Sequence, residues 1–80
     1  MMTLDQLKIG DKAIVKKLNV VGINRRRLMD LGILSGTHIE AEMASPLKDP
    51  IAYRVRGALI ALRREQANQI EIEPLEGIQP

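Results

Sequence analysis

One triplet in this chain has the spacing of a metal site: His38-x-Glu40-x-Glu42. Alternate residues of a β-strand project to the same side. On a strand the three would therefore present one imidazole nitrogen and two carboxylate oxygens together, a donor set that suits zinc or ferrous iron. The 80 residues hold a single His and no Cys, so no further strong donor completes a tight site. The expectation is weak surface capture of zinc or ferrous iron, with no cofactor required. Catalytic constellations are missing as well: the chain has no Gly-rich phosphate loop, no Ser within a plausible His and Asp set, and no carboxylate pair with a defined cleft. The expectation is that the protein is not an enzyme.

Charge is the second source of candidate chemistry. Twelve Lys and Arg nearly balance ten Asp and Glu, for a net charge of +2. The positive residues cluster, in Lys16-Lys17, Arg25-Arg26-Arg27, Arg54 with Arg56, and Arg63-Arg64, while acid gathers at Glu40, Glu42, Glu71, Glu73 and Glu76. Such runs would reward contact with phosphates. Reading bases by stacking needs aromatic side chains, and Tyr53 is the only aromatic residue, so nucleic acid is not the expected partner. Zero Cys excludes disulfides and a thiol nucleophile and fits a reducing compartment. No apolar run approaches the roughly 18 to 20 residues that span a bilayer, and MMTLDQLKIG lacks the charged-then-apolar pattern of a secretory signal. The expected location is cytosolic.

These residues need elements to position them. Thr3 can cap a single helical turn through Leu4-Asp5-Gln6-Leu7 that Gly10 stops. Ala13 to Leu18 reads as a strand, and Asn19 to Gly22 as a loop. Asn24 is placed to cap a helix from Arg25 to Leu31 that docks by Leu28 and Leu31, with Gly32 taking the left-handed conformation at its end. The other side of that helix carries Arg26, Met29 and Asp30, with Arg26 and Asp30 spaced for an ion pair. After a Ser35-Gly36 turn, Thr37 to Ala44 alternates with Ile39, Ala41 and Met43 inward. Pro46 and Lys48-Asp49-Pro50 end it. Ile51, Tyr53 and Val55 point inward in the next strand. Gly57 turns the chain so that Ala58, Ile60 and Leu62 face in and Leu59 and Ala61 face out. A short helix from Arg64 to Asn68 buries Ala67, and Ile70 with Ile72 pairs a last strand back to the first. The tail from about residue 74 is expected to fray.

A chain of this length makes one domain around one small core, built here from Ile, Leu, Val, Met and Ala. The pattern predicts a mostly β fold, a small, partly open SH3-like barrel of about five strands with short helices at the connections.

The run RRRLMDLGILSG, the loop ASPLKDP, the strand pair IAYRVRGALIALR and the closing REQANQIEIE, together with LDQLKIGDKAIV, resemble the FeoA family of bacterial ferrous iron transport over roughly residues 3 to 73. The loop departs from the family pattern in carrying Ser45 and Lys48. The resemblance implies the same barrel in a small cytoplasmic accessory protein, peripheral at the inner face of the membrane. Its implied partner is the cytoplasmic part of the FeoB-type GTPase-containing permease, which it would regulate or assemble. A second reading is the stand-alone barrel of a metal-dependent regulator similar to the diphtheria toxin repressor, or a nucleic-acid-associated module; with no winged helix ahead of the barrel, the accessory domain fits better. On physical grounds the expected docking residues are Arg26 and Met29, an apolar side chain ringed by charge, followed by the outward Leu59 and the loop residue Leu47. A homodimer is compatible with the same pattern.

Overall fold

The computed structural model describes residues 2–75. Six antiparallel strands form one sheet: β1 (Met2–Thr3), β2 (Lys12–Leu18), β3 (His38–Ala44), β4 (Ile51–Val55), β5 (Ala58–Leu62) and β6 (Ile70–Pro74), in the order β1-β6-β2-β3-β4-β5. The helix α1 (Gly22–Asp30) links β2 to β3 and the short α2 (Arg64–Ala67) links β5 to β6. The sheet curls around its core without a ladder joining β1 to β5, so it is an open barrel. β1, two residues paired to Glu71 and Ile72, is the strand that the sequence reading lacked.

A single 3₁₀ turn at Leu4–Gln6 lids the open end. Gln6 accepts the Thr3 N–H at 2.9 Å, which closes the first turn back on its own cap. Gln66 repeats the device in α2, accepting the Arg63 N–H at 3.0 Å. The lid drives Leu4 and Leu7 into the core, where Leu4 is fully buried. Beneath it lies Tyr53, also fully buried, whose hydroxyl donates to the Leu4 carbonyl at 3.4 Å.

The core otherwise consists of aliphatic residues from β2 to β6, among them Ala13, Val15, Ile39, Val55, Leu62 and Ile70, joined by Leu28, Ile33 and Ala67 from the helices and connections. Strand alternation predicts most of them. The departures have identifiable causes. Met43, expected inside, is 54% exposed because the β3–β4 register shifts between Ala41 and Met43. Glu42 is the extra residue of a bulge, and one extra residue moves every later side chain to the opposite face. A second shift, between Val15 and Lys17 in the β2–β6 pairing, lets both Val15 and Leu18 face inward. Ala58, the first residue of β5, has its side chain exposed rather than buried.

Helix α1 begins three residues earlier than the sequence suggests, after an extended Val21, so Asn24 lies inside it and does not cap it. Leu31, assigned to the core, is 43% exposed. Gly32, at φ 96°, turns the chain immediately after it. The fully buried Ile33 takes the inward place beside Leu28, and the Ile33 N–H reaches back to the Leu28 carbonyl at 3.0 Å. Pro74 does not fray: it pairs with Ala13, and the Leu75 N–H donates to the Lys12 carbonyl at 2.9 Å. The rest of the expected frayed tail, residues 76–80, lies outside the described residues.

Two predictions follow from this core. Leu62→Ala removes a side chain that is 2% exposed and should cost about 2–5 kcal/mol, a large share of the stability of a domain this size. Leu31→Ala, on a half-open residue, should melt close to the parent; equal losses in thermal denaturation would contradict this assignment. Burial pushes the Tyr53 hydroxyl up to about 12 from an ordinary value of 10. The folded chain thus holds the proton that the unfolded chain releases, so stability is complete below pH 10 and falls as pH rises toward 12. In an alkaline titration, phenolate absorbance should appear together with unfolding and not before it.

Candidate functional site

Arg25, Leu28 and Ile33 fix the attitude of α1 on the barrel. Leu28, 3% exposed, is its buried anchor. Arg25 Nη1 donates to the Leu18 carbonyl at 3.0 Å, bracing the helix against the end of β2. At about 100° per residue, Ile23, Arg26 and Asp30 lie opposite Leu28, while Met29 and Leu31 stand on the two flanks.

The outer side this creates is more apolar than the sequence suggests. Val21 is 81% exposed and Ile23 77%, and Met29 is 39% exposed. Ile23 and Leu31 line a shallow depression with Arg26, Arg27 and Asp30, and Met29 lies on the other side of the Arg26 and Asp30 row. The sequence reading missed Val21 and Ile23. Two signals were available: the adjacent valines 20 and 21 cannot both face inward from an extended segment, and Ile23 is five residues from Leu28, off its helical face. Arg26 and Asp30 do not pair; among the described residues the ion pairs are Lys16–Glu73 at 3.3 Å and Arg54–Glu42 at 3.0 Å.

Of the four docking residues selected from sequence, the structure brings two together. Arg26 and Met29 line one shallow depression with Gly22, Arg25 and Asp30. Leu47 lies apart on the β3–β4 loop, 88% exposed, and Leu59 is on β5, 48% exposed. That loop is tied down: the Lys48 N–H donates to the Ser45 carbonyl at 2.7 Å, and the Asp49 N–H to Ser45 Oγ at 3.0 Å. Asp49 Oδ1 in turn accepts the first N–H of α2, from Arg64, at 2.8 Å.

The donors of the expected metal triplet do not assemble. No group of three metal-ligating side chains comes together among the described residues. Glu42 is instead engaged by Arg54, the cross-strand partner of Glu40, through Nε at 3.0 Å and Nη2 at 3.4 Å. The hydrogen bond from Arg54 holds the Glu42 carboxyl below the usual carboxylate range. Arg54 Nη1 also reaches the Gly57 carbonyl at 3.3 Å, linking β3 to the β4–β5 turn.

A groove of about 300 Å³ runs between α1 and α2, with Val20 and Leu28 as its floor and Asn24, Arg63, Glu65 and Gln69 on its walls. It gathers neither a nucleophile with a base nor two carboxylates.

An open barrel of six antiparallel strands with two short helices at its connections defines a domain of the SH3-like kind. The FeoA domain family matches residues 2–74, and the chain belongs to that family. It is 36% identical over 72 residues to an Fe(2+) transport protein A/Fe(2+) transporter FeoB fusion protein of Porphyromonas gingivalis, a match that spans 90% of this chain but 8% of the fusion protein. The solution structure of a FeoA protein from Chlorobium tepidum superimposes with a TM-score of 0.89 at 38% identity, covering 98% of this chain and 74% of that one. The crystal structure of Stenotrophomonas maltophilia FeoA complexed with zinc, described as a procaryotic SH3 domain protein, gives a TM-score of 0.81 at 25% identity over 91% of each chain.

The Arg54–Glu42 pair makes a checkable statement about pH. The lowered carboxyl contributes stability above the unfolded carboxylate range, and that contribution is lost as pH falls through the folded value. Glu42→Gln should therefore be less stable than the parent at neutral pH and equal to it in strong acid. Parallel denaturation curves with the same gap at both pH values would refute the pairing.

Proposed function

We propose that the protein is a non-catalytic accessory of ferrous iron uptake that docks on the cytoplasmic part of a FeoB-type permease, regulating or assembling it. The observation that carries this reading is the Porphyromonas gingivalis relative, whose name joins an Fe(2+) transport protein A to a FeoB transporter in a single fusion protein. A domain covalently joined to a transporter in one organism can act on it as a separate chain in another. No helix of the described residues is long and apolar enough to cross a membrane, so attachment to the inner face would come through the partner.

The outer side of α1 is the docking surface, with Arg26 and Met29 as the residues first selected and Ile23 and Val21 added by their exposure. Aliphatic groups beside arginines are what a modest interface centre needs: area to bury, and charge to orient it. Leu47 and Leu59 are secondary. Zinc or ferrous iron would bind this chain weakly, because Arg54 already occupies Glu42. A nucleic acid would find Lys16 already paired with Glu73 and Arg54 with Glu42, and no aromatic residue other than the buried Tyr53 to stack on.

Met29→Asp and Ile23→Asp should both fold, since each replaced side chain is in contact with water, yet each would bury an uncompensated carboxylate in the complex. Affinity for the detergent-solubilised permease should fall at least about tenfold. Asn68→Asp, exposed at the end of α2, controls for charge alone. Binding of both α1 variants at parental strength would exclude this helix face.

A further inference from the structure

The sheet order gives β5 a neighbour on one side only. The turn Arg56-Gly57, both residues at positive φ (52° and 86°), makes a two-residue hairpin that fixes Val55 opposite Ala58, with Tyr53 opposite Ile60 and Ile51 opposite Leu62. In an antiparallel ladder closed this way, Ala58, Ile60 and Leu62 spend their backbone groups on β4, and Leu59 and Ala61 direct theirs away from it. Among the described residues no backbone group outside the ladder bonds to Leu59 or Ala61. Their side chains are exposed too.

Natural edge strands are protected by charge, proline or a bulge. β5, Ala-Leu-Ile-Ala-Leu, has no charge and no proline, and its pairing with β4 runs without the register shifts that interrupt the pairings of β2 with β6 and β3 with β4. The opposite edge, β1, is only two residues long.

We propose that β5 is the docking edge for a second copy of this chain, the two β5 strands pairing antiparallel about a two-fold axis at Ile60. That register is self-complementary: Leu59 faces Ala61 of the second copy on each side of the axis, and each such pair exchanges both of its free N–H and C=O groups. Charge matching favours a second copy over a charged peptide, because an uncharged strand brings no like charges opposite one another and offers a charged segment no counter-ion. The outer faces agree. Met43 is the cross-strand neighbour of Ala52, and Ala52 of Ala61, so an apolar strip crosses from β3 to the edge, where the two-fold axis joins it to its copy. A five-residue strand spans only about 17 Å, and an interface of that size falls below the roughly 1,200 Å² of a stable complex. The dimer is therefore weak and forms with rising concentration. It uses a different surface from α1 and stands independently of the permease reading.

Sedimentation velocity over a concentration series up to the millimolar range tests this. The parent should pass from monomer to dimer. Ala61→Pro deletes an N–H that points away from β4, a substitution that edge strands tolerate, and Leu59→Lys installs a protecting charge without touching the backbone. Each should weaken dimerisation at least about tenfold with an unchanged circular dichroism spectrum. In hydrogen exchange the amides of Leu59 and Ala61 should gain protection as concentration rises. A parent that stays monomeric throughout, including one whose β5 pairs only with a strand of another protein, overturns the proposal, as does a dimer that survives both variants.

Discussion

The contact between the Tyr53 hydroxyl and the Leu4 carbonyl, 3.4 Å apart inside the protein, joins the two halves of the structural problem. A six-stranded sheet that does not close on itself leaves an end open to water, and the chain has no other aromatic side chain with which to fill it. The N-terminal turn supplies the lid, and Leu4 and Leu7 are buried in the core beneath it. A buried phenol hydroxyl needs an acceptor, and the only polar group that Leu4 brings to it is its backbone carbonyl. With that bond made, no buried side-chain polar atom lacks a partner among the described residues.

Given the lid, the rest of the architecture is a matter of phase. A strand must alternate, yet the two register shifts, in β2 and in β3, break that alternation. Each changes which residues meet water. The first keeps Val15 and Leu18 on the inside while Lys16 and Lys17 face out. The second places Met43 on the outer surface and hands Glu42 to Arg54. The same bulge thus puts Met43 into the apolar strip that leads to β5, while Arg54 holds Glu42.

Function in such a domain resides in its surface, because the interior is spent on a small core. Three outward features are distinct: the aliphatic, arginine-rimmed side of α1, the loop tip at Leu47, and the unprotected edge of β5. They lie on different elements and suit different partners. The helix side combines area with charge, as a heterologous interface does. The strand edge offers backbone groups and no charge, which suits a copy of itself. The docking proposed above pairs the first of these with a transporter.

Much of this was legible in the sequence, because it depends on local physics. The inward Ile51, Tyr53 and Val55, the turn at Gly57, the burial of Ala67 and the left-handed Gly32 follow from strand period, helix spacing and glycine's tolerance of positive φ. Other features were decided by contacts distant in sequence. Whether Met43 faces in or out depends on how β3 registers with β4, and nothing within β3 marks Glu42 as the extra residue. Leu31 lost its place in the core to Ile33 because Gly32 turns the chain exactly one residue too soon for Leu31 to dock. Pro74 is held by Ala13, some sixty residues earlier in the chain, and β5 is an edge because of the order in which all six strands pair. Local pattern sets which segments become strands and helices; cross-strand partners, each met only after the chain has folded back, set which faces remain open to other molecules.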